Sequence, residues 1–216
     1  MDKLEPEESE VVKMKPIIFS TPRVRAILDG KKTQTRRVVK INGCPITSPK
    51  ESLELTKEGL IYHSFCSMSG YYKPLCQPGD ILWVRETFFC EPCTEDCAGR
   101  NDENECPFNR VGNKCYGYKT QYAGGRCDGV KWRPSIHMSR EAARIFLRVT
   151  NVRVERVQAI TYDDCLREGL WDNGTDVDTL AAFQELWQNL NAKRGYGWEI
   201  NPWVWVIEFE REEVEE

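Results

Sequence analysis

Six of the ten cysteines, Cys90, Cys93, Cys97, Cys106, Cys115 and Cys127, fall between positions 90 and 127. The stretch is otherwise polar and glycine-rich, with few large apolar side chains, so it can hardly fold unaided and needs cross-links, a metal or outside support. The N-terminal segment MDKLEPEESEVVK is acidic and lacks the basic-then-apolar order of a secretion signal. The expectation is a cytoplasmic chain with reduced thiols, which favours metal ligation over a disulfide framework and leaves free thiols as the third state. Thiolates two or three residues apart can wrap one tetrahedral Zn²⁺, because a tight turn brings both sulfurs to one side. Cys90, Cys93, Cys97 and Cys106 are therefore the first set of structural zinc ligands, with Cys115 and Cys127 in reserve. No apolar run is long enough to cross a bilayer, so no membrane partner is expected.

Regular structure is legible on both sides of this stretch. Residues 15–20 (Lys15-Pro-Ile-Ile-Phe-Ser20) read as a short buried strand. A helix follows, with Thr21 as N-cap, Pro22 at the first helical position and Gly30 at its end. Lys31 to Val39 reads as a strand. Residues 41–75 are an insertion with one hairpin across Leu53 to Tyr62, turning at Lys57-Glu-Gly59. Pro78-Gly-Asp80 turns the chain into the strand Ile81 to Phe88. From Arg144 to Val157 the apolar residues alternate as Ile145, Leu147, Val149 and then change phase to Val152, Val154. A phase change within one strand implies a bulge near Asn151, a device that curls sheets. Thr161 caps a short helix ended by Gly169. A second helix, about 178–192, carries Leu180, Phe183, Trp187 and Leu190 at helical spacing. Trp203, Trp205, Ile207 and Phe209 share one face of a closing strand. Trp203, Trp205, Leu147 and Val84 are expected in the core.

This order suits an α+β fold with a small β-barrel flanked by short helices better than a parallel βαβ sheet. The domain spans 15–211, with insertions at 41–75 and 90–130, between acidic tails at 1–14 and 212–216. Charge is uneven along the chain. Residues 1–13 carry five acids against two lysines and residues 210–216 five acids against one arginine, so the ends account for −7 of the net −4 and the body for +3. The net sign therefore says little about a binding face.

At Gly30-Lys-Lys-Thr-Gln-Thr-Arg-Arg37 the pattern G-[RK]-K-T-x-T-x-R, followed by a P-G-D turn into a strand, resembles the ASCH family of PUA-like domains. The similarity continues in Ile160-Thr-Tyr-Asp-Asp-Cys-Leu-Arg-Glu168, which looks like the family's helix, with Cys165 at its usual alanine, and in the closing W-V-x-x-I-E-F strand. Two further segments, P-I-I-F-S-T-x-x-V-R-A-I-L-D-G and W-R-P-S-I-H-M, are similar to ASCH proteins of phage and prophage type. The resemblance covers about residues 15–40, 76–89 and 131–210, leaving both insertions outside. It implies a small barrel with a cleft beside it that takes RNA or a nucleotide. It also implies amidohydrolase chemistry on acylated cytidine, with Lys32, Thr35 and Glu168 in the catalytic positions and Arg37 beside them.

The residue types suit that chemistry. A lysine works as a base only when burial or a nearby cation lowers its pKa, and Lys31, Arg36 and Arg37 are the cations at hand and are also candidate ligand-binding residues. A threonine hydroxyl attacks a carbonyl when such a lysine takes its proton, and Glu168 can protonate the departing amine. Alternation places Thr33, Thr35 and Arg37 on one face of the strand, with Lys32 entering from the turn. The plain alternative is a solvated basic strand edge that discourages strand-to-strand aggregation. Tyr196 and Trp198 in a glycine-containing loop, and Trp132 and Arg133 beside the second insertion, are candidates to stack on or contact a base, with incidental packing as the alternative. Three functions stay open: a module that binds RNA or a modified nucleotide, a hydrolase acting on an acylated nucleoside or processing RNA as a ribonuclease, and a phage protein whose insertions bind a host partner.

Overall fold

A computed structural model describes residues 12–41, 44–45, 52–56, 59–63, 70–72, 74–92, 109–111, 114–121, 131–170 and 176–212. Its elements in chain order are β1 (Met14–Ile18), α1 (Thr21–Leu28), β2 (Gln34–Val38), β3 (Lys40–Ile41), β4 (Cys44–Pro45), β5 (Ser52–Thr56), β6 (Gly59–His63), β7 (Gly70–Tyr72), β8 (Ile81–Arg85), β9 (Phe88–Pro92), β10 (Asn109–Val111), β11 (Lys114–Tyr118), β12 (Phe146–Arg156), α2 (Tyr162–Arg167), α3 (Asp176–Asn191) and β13 (Trp203–Glu212). The fold is α+β. Its body is a mixed five-stranded sheet in the order β1-β8-β12-β13-β2. β1 lies parallel to β8, and the other pairs are antiparallel.

The expected closed barrel is not formed by these strands. β1 and β2 are the sheet edges, and no backbone ladder joins them. Instead a side chain spans the seam: Arg37 of β2 donates from Nη2 to the carbonyl of Ile18, the last residue of β1, at 2.9 Å. Above the seam, Phe19 packs on Phe209 with ring centroids 6.3 Å apart. The two edges therefore meet through arginine and phenylalanine side chains in place of hydrogen-bonded backbone.

The register of β12 on β13 shifts between Val149 and Asn151, where the change of hydrophobic phase places a bulge. The P-G-D turn docks there, with Gly79 donating to Val149 O and Val149 donating to Asp80 O. β13 is central and buried on both faces, wider than the single apolar face read from its alternation. Trp205, Ile207 and Phe209 join the core under α1, where Leu147, Val84, Phe19, Val24 and Ile27 are buried, while Trp203 packs against this core partly exposed. Val204 and Val206 face Phe183 and Trp187 of α3 and Ile160 and Cys165 around α2. Leu190, expected on the same apolar stripe, is 43% exposed.

The helix ends follow their side chains. α1 begins one residue earlier than read, with Ser20 and not Thr21 in the N-cap position. Thr161 caps α2 as read, and the cap is a full capping box: Thr161 Oγ1 accepts from Asp164 N, and Asp164 Oδ2 accepts from Thr161 N, both at 3.2 Å.

The first insertion contains the expected hairpin, β5 on β6, extended by β7. Its turn at 57–58 lies outside the described residues, and Leu53 is buried in the main core. The second insertion is tied into the body at both described ends. β11 pairs with β9, and Tyr116 and Tyr118 pack on Phe88, Met138 and Ala142. Of the acidic tails, 1–11 and 213–216 lie outside the described residues, while Met14 and Glu212 belong to strands. No helix among the described residues is long and apolar enough to cross a membrane.

Candidate functional site

The turn after α1 delivers Lys32 into the interior. Gly30 takes a left-handed φ of 70°, and the backbone N–H groups of Lys31 and Lys32 both donate to Ala26 O at 2.9 Å. Glu168 arrives as the C-cap of α2, and Gly169 reverses the chain behind it at φ 83°. Lys32 and Glu168 form an isolated antiparallel bridge, so the two turns lie against each other. Glycine is required at 169 on two counts. Besides the positive φ, a Cβ there would stand 2.8 Å from Ala26 Cβ and 3.0 Å from Lys32 Cβ.

Lys32 Nζ uses all three of its protons. It donates to Glu168 Oε2 at 2.7 Å, to Gln34 O at 2.6 Å and to Glu168 O at 2.8 Å. Burial is the main force on its pKa, lowering it to about 8 against the opposing pull of Glu168, and the nearby Arg23 and Arg37 push the same way as burial. The cations that act on Lys32 are therefore Arg23 and Arg37, whereas Arg36 is turned away. Strand alternation sends Arg36 to the α3 side, where its guanidinium lies 6.0 Å from the Phe183 ring, and Arg37 to the opposite side, 5.1 Å from the Phe19 ring.

Arg36 is the hub of a buried network. Its Nη2 lies 2.9 Å from Asp164 Oδ2 and 3.3 Å from Glu155 Oε2, and its Nη1 lies 3.5 Å from Glu168 Oε1. Arg153 extends the network to Glu155, Asp164 and Glu208. Burial raises the Asp164 carboxyl, but Arg36 and the Thr161 N–H outweigh it and hold the group below the usual range. Asp164 thus serves both the helix cap and the ion-pair network. None of Arg23, Glu155, Asp164 or Arg153 was singled out from the sequence. Asp164 alone left a local signal, as the acid three residues after a capping threonine.

Thr35 is fully buried on β2, and its Oγ1 has no hydrogen-bond partner among the described residues. An unsatisfied buried hydroxyl is uncommon, and it marks Thr35 as a residue whose side chain is not explained by packing. Cys165 is fully buried, and burial raises its thiol pKa to about 12. It is an inert packing residue.

The remaining candidates scatter. Lys31 is exposed. The Tyr196 ring lies 5.3 Å from Lys40 Nζ, and its carbonyl accepts from Trp187 Nε1, which holds the 192–200 loop near the end of β2. Trp198 is half-buried, edge-on to Phe183, and lines an open groove of about 460 Å³ with Ala181, Gln184, Gln188 and Glu199 on the outer face of α3. This groove does not contain Lys32, Thr35 or Glu168. Trp132 and Arg133 belong to the other sheet: Trp132 is edge-on to Phe89 at 5.6 Å, and Arg133 pairs through its backbone with Phe88. A second buried network lies there, in which Glu86 accepts from Arg144 and Thr120 while Arg144 stacks on Tyr118.

The zinc expectation rests mainly on Cys93, Cys97 and Cys106, which with Cys127 lie outside the described residues. Cys90 is opposite Tyr116, and Cys115 is opposite Glu91, one step along the same pair of strands. Successive positions point to opposite faces, so Cys90 and the reserve Cys115 cannot share one ion from this sheet. Among the described residues no three His, Cys, Asp or Glu side chains gather as a metal site. Comparison with family models, curated proteins and solved structures yields no match to this chain.

Proposed function

We propose that the chain is an ASCH-type, PUA-like protein whose site beside β2 takes a nucleotide-like ligand and hydrolyses the acyl group of an acylated cytidine. The observations that carry this reading are the direct contact of Lys32 with Glu168 and the buried hydroxyl of Thr35, which has no partner among the described residues. These three residues were selected from motif positions alone, and two of them meet across the fold. The seam between β1 and β2, spanned by Arg37 and Phe19, is where a small barrel would close, which favours the PUA-like architecture.

In the reaction Lys32, in its neutral form, takes the proton of Thr35 Oγ1 as that oxygen attacks the acyl carbonyl. The C–N bond breaks as the proton taken by Lys32 is relayed through Glu168 to the departing amine of cytidine, leaving an acyl ester on Thr35. Water then hydrolyses the ester, releasing the carboxylic acid and restoring the hydroxyl. Lys32, Thr35 and Glu168 are 2%, 0% and 5% exposed, so entry of a substrate requires the covering side chains to move.

That burial favours a second reading, in which the Lys32–Glu168 pair is structural and the exposed cationic face alone binds ligand. Incubation of the purified protein with acylated cytidine, followed by chromatography of released cytidine, separates them. Hydrolysis by the wild type and none by Lys32→Arg, with ligand affinity retained, supports the enzyme, because arginine keeps the charge but does not deprotonate. Binding without turnover by the wild type sinks the hydrolase and leaves the binding module. Neither binding nor turnover leaves the third function, a partner-binding phage protein.

A further inference from the structure

α3 carries charge of one sign. Its sequence, DVDTLAAFQELWQNLN, holds three acids and no lysine, arginine or histidine. Val177, Ala181, Gln184, Glu185 and Gln188 are exposed and recur at helical spacing, on the side turned away from the buried Phe183 and Trp187. Along this side runs the open groove of about 460 Å³, with Glu185 among its helix residues and Trp198 and Glu199 contributed by the following loop. The loop is seated on the helix. Gln188 Oε1 accepts from Trp198 N at 2.9 Å, and a Cβ at Gly197 would stand 3.0 Å from that same oxygen. The Trp198 ring is fixed edge-on to Phe183, with centroids 6.2 Å apart.

Glu185 and Glu199 are exposed, and neither carboxylate is paired with a described residue. The interior acids are treated differently, since Glu155, Asp164, Glu168 and Glu208 each meet a lysine or arginine. Lys193 and Arg194, the cations nearest in sequence, lie in the turn beyond α3 and do not line the groove. An indole beside two unpaired carboxylates and a glutamine amide matches a guanidinium. The flat cation stacks on the ring while its N–H fork reaches carboxylate and amide oxygens. An ammonium offers a single point of charge and is more strongly hydrated. A phosphate is repelled by the same two acids, which separates this groove from the site proposed for a nucleotide.

The flanks of the groove point to a peptide chain and not a free amino acid. Val177 is 75% exposed one turn before Ala181, and Ile200 is 46% exposed directly after Glu199. Both are apolar surfaces that neighbours of an arginine would cover. From Val177 to Gln188 the helix rises about 16 Å, the length of about five extended residues.

We propose that this groove docks an arginine-bearing segment of a partner protein, with the guanidinium against Trp198 and paired to Glu185 and Glu199, and with apolar neighbours on Val177 and Ile200. The surface is separate from Lys32, Thr35 and Glu168, so it stands whether or not those residues act on a nucleotide.

The test is an NMR titration of the full chain with the acetylated pentapeptide amide Leu-Ser-Arg-Ser-Leu, following the Trp198 indole N–H and the Gln184 side-chain amide. Parallel titrations replace the arginine by lysine and by citrulline, which keeps the shape and removes the charge. The expected result is saturable movement of both signals, with binding about fivefold weaker for lysine and about tenfold weaker for citrulline. Glu185→Gln and Glu199→Gln should each weaken the arginine peptide about threefold, and the control Glu141→Gln should be silent. Both acids are exposed, so these variants keep the fold. Unmoved Trp198 and Gln184 signals overturn the proposal, as do shifts confined to the acidic termini, which would show attraction to net charge only. Equal affinity for the citrulline peptide overturns the ionic recognition, and equal affinity for the lysine peptide overturns the assignment to a guanidinium. Movement of the same two signals by a short oligocytidine RNA, with none by the peptides, assigns the groove to nucleic acid and overturns the proposal.

Discussion

Lys32 Nζ and Glu168 Oε2 lie 2.7 Å apart, with side chains 0% and 3% exposed, although 136 residues separate them in the chain. A pair this deeply buried is held less by its own attraction than by the penalty for breaking it. Lys32→Met leaves Glu168 charged and half-satisfied, and should cost about 3–5 kcal/mol. Lys32→Met with Glu168→Leu removes both charges and should recover much of that loss. Urea unfolding of the two single variants and the double measures the coupling. Additive losses would show that the two groups do not act as a pair.

Thr35→Val separates folding from chemistry. Valine has nearly the same shape as threonine and removes a buried hydroxyl that has no partner among the described residues. The variant should be as stable as the wild type or more stable, by up to about 1 kcal/mol, while hydrolysis of acylated cytidine is lost. A thermal melt together with a turnover assay reads both quantities. A clear fall in stability would mean that the hydroxyl has a partner in solution.

The lowered Lys32 pKa has a definite sign. Its folded value, about 8, lies below its ordinary 10.5, so between those values the unfolded chain holds more protons. Stability contributed by this group therefore rises with pH across that window and is flat below it. The hydrolytic rate should climb toward a plateau as pH passes about 8, because only the neutral amine can take the Thr35 proton. Unfolding midpoints and initial rates from pH 6 to 10, compared with Lys32→Arg, check both. A rate independent of pH through this range would remove Lys32 as the base.

Two glycines with similar backbone angles should differ sharply on substitution. Gly79 has φ 89° and open space around it, so Gly79→Ala carries only the conformational cost, about 1–2 kcal/mol. Gly169→Ala carries that cost and pushes on Ala26 and Lys32, so it should lose more stability and also shift the pH dependence of the rate. Equal losses at the two sites would contradict the close packing of the two turns.

Zinc is expected in the second insertion, held by Cys90, Cys93, Cys97 and Cys106. Elemental analysis of the purified protein should find about one zinc per chain, and Cys106→Ser should release it. Absence of metal from protein prepared without chelator would leave the β9–β11 packing as the support of this segment.

The parts of the fold that were legible are those set by local chemistry. The phase change around Asn151 marked the bulge, the Thr161 to Gly169 segment marked α2, and alternation separated Arg36 from Arg37 correctly. The ion-pair network was not legible, because Glu155, Asp164 and Glu208 reach Arg36 and Arg153 from three different elements. Periodicity says which way a side chain points but not which partner it finds. Arg36 consequently looked like a ligand residue and is a buried hub. Trp132 and Trp198 looked like exposed loop aromatics, but they pack on Phe89 and Phe183, neither of which is a sequence neighbour. Barrel closure was equally out of reach, since it depends on whether β1 and β2 exchange backbone hydrogen bonds, and β1 pairs instead with β8.

The strand order β1-β8-β12-β13-β2 also dictates a sequence of assembly. Only β12 and β13 are neighbours both along the chain and in the sheet, so the sheet is seeded late, by its C-terminal pair. During synthesis β1, α1 and β2 emerge long before any strand that can receive them, with Phe19, Val24 and Ile27 still uncovered. In that interval Lys31, Lys32, Arg36 and Arg37 make β2 a poor template for other chains, since pairing would bury charges with no acids yet in place. The basic run that ends with Arg36 as a buried hub is, on the ribosome, a gatekeeper that holds the strand apart until β13 arrives.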